Sequence, residues 1–568
     1  MEIFLILFFI IFFSLATLGY GQLLSKIIGN SKYELSLGEI GFLGFFFISF
    51  ISLFFHFFIP LNTNFNTLLY IVGIFFLIIE TKNKNIKILK NFKHYKFLLI
   101  ILIVSLIMFV DYKPNEDFGY YHLPYITNLI HEKIIFGLSN LQLNQGWNSI
   151  WLNIKSTYHI KYLKFDGVFF SNVVFYLFSS LILFEINFKN RNINKSIFVF
   201  TFTLFFLIFL NLKFSRLNTY GLDVPSNYMV IYTCVLFFLY FCRDNEVEEK
   251  FNIFEYLVLF CLFSVSFRII NILTLILPLI IFIIEKITLK KIFKSKIILI
   301  SVLFFILFLT QQIIYTGCLL IPNKLTCIDS LLWFDPNIIE YFDTDTSKVN
   351  KSFQSYVGQL SRDEYLSNFS WVNNWYDRHK IEIFEHIGTF LSPIILYILM
   401  LSTRNKVIEK FSYISANNYI LIFLLIALSI WFLKAPVIRF GTIYIQASIL
   451  ILILILFKNK LLFLPHKNMI ILLISISLIG NLIKNTNRLF LGINNNQIIP
   501  KIPKINYHSN NIFDIKLNYP ISNPKIAKSE LCWNVPTLCR IGGFNDLDIF
   551  RLNNYLFIKK NDATTLII

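Results

Sequence analysis

The chain opens with IFLILFFIIFFSLATLGYGQ, residues 3–22, a run without a charged side chain. A bilayer core about 30 Å thick needs roughly 20 apolar residues to be crossed by a helix. Glu2 stands where a secretory leader would have a basic region, and no small-x-small cleavage site follows. The run therefore predicts a retained first transmembrane helix.

The same apolar composition continues along the chain. Mean hydropathy is +0.65, charged residues make up 15%, and Phe occurs 66 times in 568 residues. Soluble domains carry about 25% charged residues, and their interiors cannot bury this much apolar sequence. We predict an all-α polytopic membrane protein with about 14 transmembrane helices, at residues 3–22, 39–59, 66–80, 97–112, 167–187, 196–213, 226–243, 252–267, 269–285, 297–315, 385–402, 418–434, 441–457 and 468–484.

Loop charge predicts the orientation of these helices. The net charge of +18 does not indicate nucleic-acid binding, because the basic residues are spread through short loops and form no basic face. Loops on one side hold about 24 Lys and Arg, and the alternate short loops hold about five. By the positive-inside rule, both termini and the long segments 113–166, 316–384 and 485–568 are predicted to lie outside the cytoplasm. We divide the chain into a transmembrane domain, 1–484, and a small extracytoplasmic C-terminal segment, 485–568.

Seven cysteines test that orientation. Cys234, Cys242 and Cys261 fall in predicted spans and are expected to act as apolar residues. The other four form two close pairs in segments predicted to be external, which favours disulfides. The alternative, free or metal-binding thiols, matches no zinc-site spacing and has no neighbouring His. The two pairs are Cys318 with Cys327 and Cys532 with Cys539.

The first long external loop carries the leading candidate for chemistry. Glu116 and Asp117 directly follow a predicted span, and apolar residues then recur at helical spacing through 123–134. This pattern predicts an amphipathic helix lying flat at the membrane surface, with Asn128 on its polar face. A carboxylate at that height can act as a general base on a hydroxyl or help to hold a divalent cation, Mg or Mn, near a phosphate.

Further candidates lie in later external turns. Asp223 is the only acid in the turn that also holds Arg216, and its position before Pro225 equally fits a helix N-cap. Arg268 interrupts apolar sequence, where a cation needs a partner or a wet cavity. Arg439 lies in a short turn between two spans and suits phosphate binding, or snorkelling to lipid headgroups.

Several stretches resemble GT-C glycosyltransferases, polytopic enzymes that use sugars carried on polyprenyl phosphates. They are most similar to a bacterial family of GT-C-like membrane proteins. The first loop has Glu116-Asp117 where many GT-C enzymes have Asp-Glu or Glu-x-Asp, and it lacks the Trp-Trp-Asp signature of oligosaccharyltransferases. The similar stretches are Tyr120-Tyr121-His122-Leu123, Gly137-Leu138-Ser139-Asn140-Leu141, Asn148-Ser149, Leu222-Asp223-Val224-Pro225, Thr316-Gly317-Cys318 through Cys327-Ile328-Asp329, Ala435-Pro436 with Arg439-Phe440-Gly441, and Cys532-Trp533-Asn534-Val535-Pro536 to Cys539.

The resemblance implies a glycosyltransferase of the bacterial cytoplasmic (inner) membrane. It would move a sugar from a polyprenyl-phosphate donor to an envelope glycan or lipid on the external face. The catalytic residues would be Asp117 or Glu116 together with Asp223. Phosphate ligands and sugar contacts complete the predicted site: Arg216, Arg268 and Arg439 for phosphate, and Tyr121, His122 and Trp147 for the substrate.

Two other functions fit the sequence less fully. A polysaccharide polymerase or O-antigen ligase would depend on cations of the large external loop, where Arg362, Arg378 and His379 lie. A transporter of lipid-linked glycans would be expected to show paired repeats with broken helices, and no such duplication is visible. No P-loop or GxGxxG motif occurs either, which fits a lipid-linked rather than a nucleotide-linked donor.

Overall fold

Helices carry nearly all the apolar sequence in the computed structural model of the protein. The structure describes residues 2–29, 33–82, 92–109, 116–188, 197–213, 217, 221–242, 247–367, 369–401, 414–456, 467–494, 502–512, 514–523 and 528–561. The helices are α1 (Glu2–Ile28), α2 (Leu37–His56), α3 (Thr63–Lys82), α4 (Phe92–Phe109), α5 (Leu123–His131), α6 (Leu138–Leu141), α7 (Ile150–Thr157), α8 (Phe170–Phe188), α9 (Ile197–Lys213), α10 (Asp223–Cys242), α11 (Val247–Phe267), α12 (Ile276–Ile284), α13 (Leu289–Lys294), α14 (Lys296–Thr316), α15 (Pro336–Glu340), α16 (Thr346–Asn350), α17 (Arg362–Leu366), α18 (Val372–Leu401), α19 (Ile414–Lys434), α20 (Ile438–Leu456) and α21 (Lys467–Asn494).

Ten helices in the described part of the chain are long and apolar enough to cross a membrane, which confirms the polytopic membrane fold. The remaining four predicted spans coincide with shorter apolar helices, at Lys96–Phe109, Val199–Lys213, Ile269–Ile284 and Asn418–Lys434. The number 14 therefore stays a prediction. The last helix, α21, runs to Asn494 and so extends beyond the predicted boundary at 484.

Small residues let the first helices approach closely, as is common in membrane bundles. A Cβ added to Gly44 of α2 would overlap the carbonyl oxygen of Thr17 on α1. A Cβ added to Gly19 of α1 would likewise overlap the carbonyl of Gly73 on α3. Helices α8 and α10 are buried along nearly their whole length, whereas α3 and α18 expose most of theirs. The bundle thus has inner helices and an apolar outer layer suited to lipid.

The predicted first-loop helix forms as α5, but its surroundings differ from the prediction. Residues Leu123–Ile130 are all buried, including Asn128 on the face expected to meet water. Asn128 donates to Gln145 at 3.0 Å and accepts from Thr537 at 3.0 Å. The polar face is covered because the distant C-terminal segment packs onto it, a contact that helical periodicity does not encode.

The all-α prediction is wrong for the C-terminal segment, which contains β structure. Strands β2 (Tyr507–Ile512) and β3 (Ile515–Pro520) form an antiparallel hairpin. Strands β4 (Leu547–Leu552) and β5 (Tyr555–Lys560) form another, closed by Asn553 and Asn554 at positive φ, as a two-residue turn requires. Strand β5 also pairs in parallel with β1 (Ile135–Phe136) of the first loop. The strands are short and lie between turn residues, so their alternating pattern is weak beside the long apolar runs that predict helices. The sequence analysis therefore did not predict them.

Candidate active site

Residues from five regions of the chain, together with two positions on α14, surround one cavity of about 1340 Å³. The contributing segments lie within 117–152, 221–224, 268–272 and 319–350, together with the turn between α19 and α20. Loop charge predicts all of these segments to be on the external side. Most of the predicted site residues therefore meet in a single cavity, whose lining includes Asp117, Tyr121, His122, Trp147, Asp223, Arg268 and Arg439.

Three charged residues form one wall of the cavity, which we call the charged wall: Asp223, Arg268 and Arg439. Asp223 begins α10, and its carboxylate forms an ion pair with the Arg268 guanidinium. Arg439 Nε lies 3.6 Å from the second oxygen of Asp223. The Arg268 side chain is 14% exposed and that of Arg439 is 53% exposed. One carboxylate thus organises two cations, and Arg439 is the more accessible of them.

Aromatic residues hold the arginines in place. The Phe440 ring centroid lies 4.1 Å from the guanidinium carbon of Arg268 and 5.4 Å from that of Arg439, within cation–π range. The preceding turn is fixed by two indole donors: Trp375 Nε1 donates to the Pro436 carbonyl at 2.7 Å, and Trp431 Nε1 donates to Val437 at 2.9 Å. The turn therefore presents Arg439 on a rigid support.

Asp117 stands at the start of a π-helical turn, Phe118–His122, which leads into α5. Such turns interrupt helices and often occur at functional sites. Burial and the nearby Asp117 carboxylate together raise the pKa of Tyr121 to about 12, against the opposing effect of Arg439 and Arg268. Asp117 and both arginines therefore act on the same phenol.

Glu116 and Asp117 take different positions. Asp117 lines the cavity, whereas Glu116 is 64% exposed and forms an ion pair with Lys528 at 3.4 Å. Next to them, the Trp533 main-chain N–H donates to the Gly119 carbonyl at 2.9 Å. A Cβ on Gly119 would overlap the Trp533 indole. The C-terminal segment thus clamps the loop that carries Asp117, and Asp117 is the better candidate base.

Both predicted disulfides are confirmed. Cys532–Cys539 closes the loop that holds Trp533 against Gly119. Arg551 reinforces this clamp by pairing with Glu132 at 2.8 Å. Cys318–Cys327 closes the loop 319–326, most of which lines the cavity. The free cysteines Cys234 and Cys261 are buried and Cys242 is half-buried.

His122, which lines the cavity, and Lys155 are both buried. Burial, together with the smaller effect of the positive charges of Lys155, Arg439 and Arg268, lowers the pKa of His122 to about 3. The ring is therefore neutral at physiological pH and can offer one donor and one acceptor. Burial also lowers the pKa of Lys155 to about 7. The sequence analysis did not single out Lys155, because one Lys in a segment predicted to be external resembles an ordinary solvated residue.

Trp147 lies where two loops of the cavity meet. Its ring is 4.5 Å from that of Phe342 in an edge-to-face arrangement. The neighbouring Asn148 accepts from the Tyr125 hydroxyl at 2.9 Å and donates to Gln311 at 3.2 Å. These hydrogen bonds attach the Trp147 loop to α5 and α14.

The other predicted residues lie elsewhere or outside the described part. Arg216 is outside the described residues. Arg362, Arg378 and His379, on which the polymerase or ligase alternative depends, are not among the cavity-lining residues of the described chain. Within the described ranges, no group of three or more His, Cys, Asp or Glu side chains is arranged to hold a metal ion. The divalent cation stays a prediction.

Comparison with known proteins finds no match among curated proteins and none among solved structures. The family model described as a domain of unknown function, DUF8201, matches residues 1–446, more than half of the chain, and the protein belongs to that family.

Proposed function

We propose that this cavity is the active site of a membrane glycosyltransferase. The enzyme moves a sugar from a polyprenyl-phosphate donor to an acceptor hydroxyl of the bacterial envelope, on the external face of the cytoplasmic membrane. One observation carries the proposal: Asp117 lines the same cavity as the arginine pair organised by Asp223. A base for the acceptor and cations for a leaving phosphate are the two groups that such a transfer needs.

The step balances on these residues. The acceptor oxygen attacks the anomeric carbon of the donor sugar and passes its proton to Asp117. The bond from that carbon to the phosphate oxygen breaks, and the electron pair stays on the phosphate. Arg439 and Arg268 stabilise the growing negative charge on the phosphate. This stabilisation is strongest in a site shielded from water. Asp223 acts as a positioning residue that holds both guanidinium groups, which revises the catalytic role expected from the sequence.

The apolar part of the cavity suits a polyprenyl chain. Aliphatic and aromatic side chains from α7, α14, α19 and the segment after Arg268 line it. Burying such a chain contributes about 25 cal/mol per Å² of apolar surface, and the phosphate then reaches Arg439 at the charged wall. The apolar lining residues include Leu152, Ile269, Ile272, Phe308 and Ile430.

Asp117→Asn tests the proposal. The amide keeps the shape but cannot take a proton, so transfer should fall by roughly 100- to 10,000-fold. Envelope glycans of cells with and without the protein, compared by mass spectrometry, should differ by the mass of one sugar. Wild type should restore that mass and Asp117→Asn should not.

Asp377→Asn is the matched control, because Asp377 is exposed and lies outside the cavity lining. It should restore the sugar fully. Both variants should reach the membrane in equal amounts, checked by immunoblotting. Full glycan modification by inserted Asp117→Asn protein would rule out the mechanism.

A further inference from the structure

A second wall of the cavity, which we call the polar wall, is built by residues 336–350. Helix α15, a π-helical turn at Tyr341–Asp345 and α16 follow one another without a break. Their cavity-lining positions recur every three or four residues, so they occupy one helical face. The polar residues on that face include Asn337, Glu340, Asp343, Thr344, Ser347 and Asn350.

The polar wall has unused hydrogen-bonding capacity. Within the described part of the chain, the side chains of Asn337, Glu340, Asp343 and Asn350 make no hydrogen bond or ion pair with protein. Asp343 interacts with Lys351 only through a longer-range attraction, which opposes the lowering of that lysine's pKa by burial. On the charged wall, by contrast, Asp223 is paired twice. Amide and carboxylate groups together supply donors and acceptors at short spacing, the combination that binds sugar hydroxyls.

An aromatic surface adjoins these polar groups. Trp147 and Phe342 both line the cavity with their rings 4.5 Å apart. The C–H face of a sugar ring packs well on such a surface, while its hydroxyls reach polar groups at the edge. Polar groups beside a stacking ring distinguish this region from an ordinary solvated helix.

The polar wall is rigid before any ligand arrives. The Cys318–Cys327 disulfide anchors a small apolar cluster in which Ile321, Ile338 and Phe342 are buried. Asp335 also caps α15 by accepting from the Asn337 N–H at 2.9 Å. A wall fixed in this way loses little conformational entropy on binding.

Charge and size narrow the ligand. Within residues 336–350 the charged side chains that line the cavity are Glu340 and Asp343, and the lining lysines, Lys324 and Lys434, belong to neighbouring segments. The two carboxylates disfavour a phosphorylated or acidic group at this wall, whereas neutral hydroxyls suit it. Small-molecule pockets commonly measure about 300–1,000 Å³, and this cavity measures about 1340 Å³. There is room for a donor headgroup at the charged wall and more than one further sugar ring.

We propose that the polar wall and Trp147 form an acceptor subsite for an uncharged, hydroxyl-rich glycan of more than one sugar unit. The inference rests on the proposed transferase and selects a glycan over a lipid as its acceptor. The glycan packs on Trp147, which Phe342 supports from within the buried cluster, hydrogen-bonds to Asn337 and Asp343, and directs one hydroxyl toward Asp117.

The test uses the full-length protein in detergent on an array of isolated bacterial envelope oligosaccharides, grouped as neutral, cationic and anionic. Wild type should retain neutral oligosaccharides. The double variant Asn337→Ala/Asp343→Ala should bind them at least tenfold more weakly. Both side chains are exposed, so their truncation leaves the core intact. The matched control is Asn373→Ala/Asp377→Ala, an exposed Asn–Asp pair on α18 outside the cavity lining, which should bind as wild type does.

Binding by wild type to no oligosaccharide, or to anionic ones alone, would overturn the subsite. Equal binding by the double variant and wild type would overturn it as well. Asp117→Asn should still bind the neutral glycans while failing to transfer sugar. Neutral-glycan binding by a wild-type protein that transfers nothing would leave the subsite standing and reject the transferase. Sugar transfer by the double variant with an unchanged acceptor KM would reject the subsite and leave the transferase standing.

Discussion

The two walls of the cavity satisfy their polar groups in different ways. At the charged wall, Asp223 pairs with Arg268 and Arg439, and Phe440 packs against both guanidinium groups. At the polar wall, the side chains of Asn337 and Asp343 are exposed and make no hydrogen bond to the described protein. The charged wall is preorganised within the protein, whereas the hydrogen bonds of the polar wall are left for a ligand.

This contrast indicates where each kind of specificity arises. Preorganised charges stabilise charge that develops during a reaction, because they need no rearrangement when it appears. Exposed polar groups instead select among ligands by the hydrogen bonds that they gain or lose. Substitutions at the charged wall should therefore affect stability and rate, and those at the polar wall should affect acceptor affinity.

Asp223→Asn should produce the largest change in stability. It leaves the mostly buried Arg268 without its carboxylate, and breaking a buried ion pair costs about 3 kcal/mol. Thermal unfolding in detergent measures the loss. Asp343→Asn on the polar wall is the control, which should change stability by less than about 0.5 kcal/mol. Equal effects of the two variants would remove the distinction between the walls.

Gly119→Ala should have the next largest effect. The added Cβ overlaps the Trp533 indole, and overpacking of this kind costs about 2 kcal/mol. The clamp behind Asp117 would shift, so transfer should also fall. The control is Gly388→Ala, where an added Cβ meets nothing within 4 Å. A Gly119→Ala protein with unaltered stability and transfer would show that the clamp does not position Asp117.

Lys155→Met should alter the pH dependence of stability. The pKa of Lys155 in the folded protein is about 7, below its ordinary value of 10.5, because burial penalises the charged form. Between these values the unfolded chain holds more protons, so stability rises with pH. From pH 7 to pH 8 the free energy of unfolding should rise by about 1 kcal/mol because of Lys155. The Lys155→Met variant should lack this rise. The control variant Lys380→Met, at an exposed lysine, should show it. The measurement is the midpoint of thermal unfolding at pH 7 and at pH 8 for wild type, Lys155→Met and Lys380→Met. An identical rise of the midpoint in all three proteins would contradict the expectation.

Arg439→Gln should have the smallest effect on stability, under about 1 kcal/mol, because its pairing with Asp223 is half-exposed. Its effect should appear in the donor KM, which we expect to rise about tenfold with the loss of a charge-assisted contact to phosphate. Arg378→Gln is the matched control at an exposed arginine outside the cavity lining. If Arg378→Gln abolishes transfer and Arg439→Gln does not, the active site is that of the polymerase or ligase alternative, which depends on the cations of the large loop.

Local sequence predicted the membrane fold and much of the candidate site. Runs of about 20 apolar residues can form stable structure in lipid only as helices or closed barrels, so helices such as α2 and α10 were predictable from their sequences. Asp117, Asp223 and Arg439 stood out because each is a charge beside a span. The disulfides were predictable because the short spacing of the cysteine pairs and their predicted oxidising compartment both favour a disulfide.

The remaining parts of the site depend on contacts between distant segments. Lys155 is buried by the packing of α7 on α2 and α5, and Trp533 reaches Gly119 across more than 400 positions of sequence. The polar wall could not be predicted, because its exposed residues look like any solvated helix. Strand β5 pairs with two residues of the first loop, and such non-local pairing has no local signal.

Sequence alone determined that this chain is a helical membrane protein with two disulfides and charged turns between its helices, because apolar run length and cysteine spacing are local features. Tertiary structure decided that Asp117, Asp223, Arg268 and Arg439 meet in one cavity, and that Asp223 pairs both arginines. It also decided that the C-terminal segment covers the polar face of α5, and that the side chains of the polar wall stay exposed. These outcomes depend on which segments pack together, and packing sets burial, pairing and pKa.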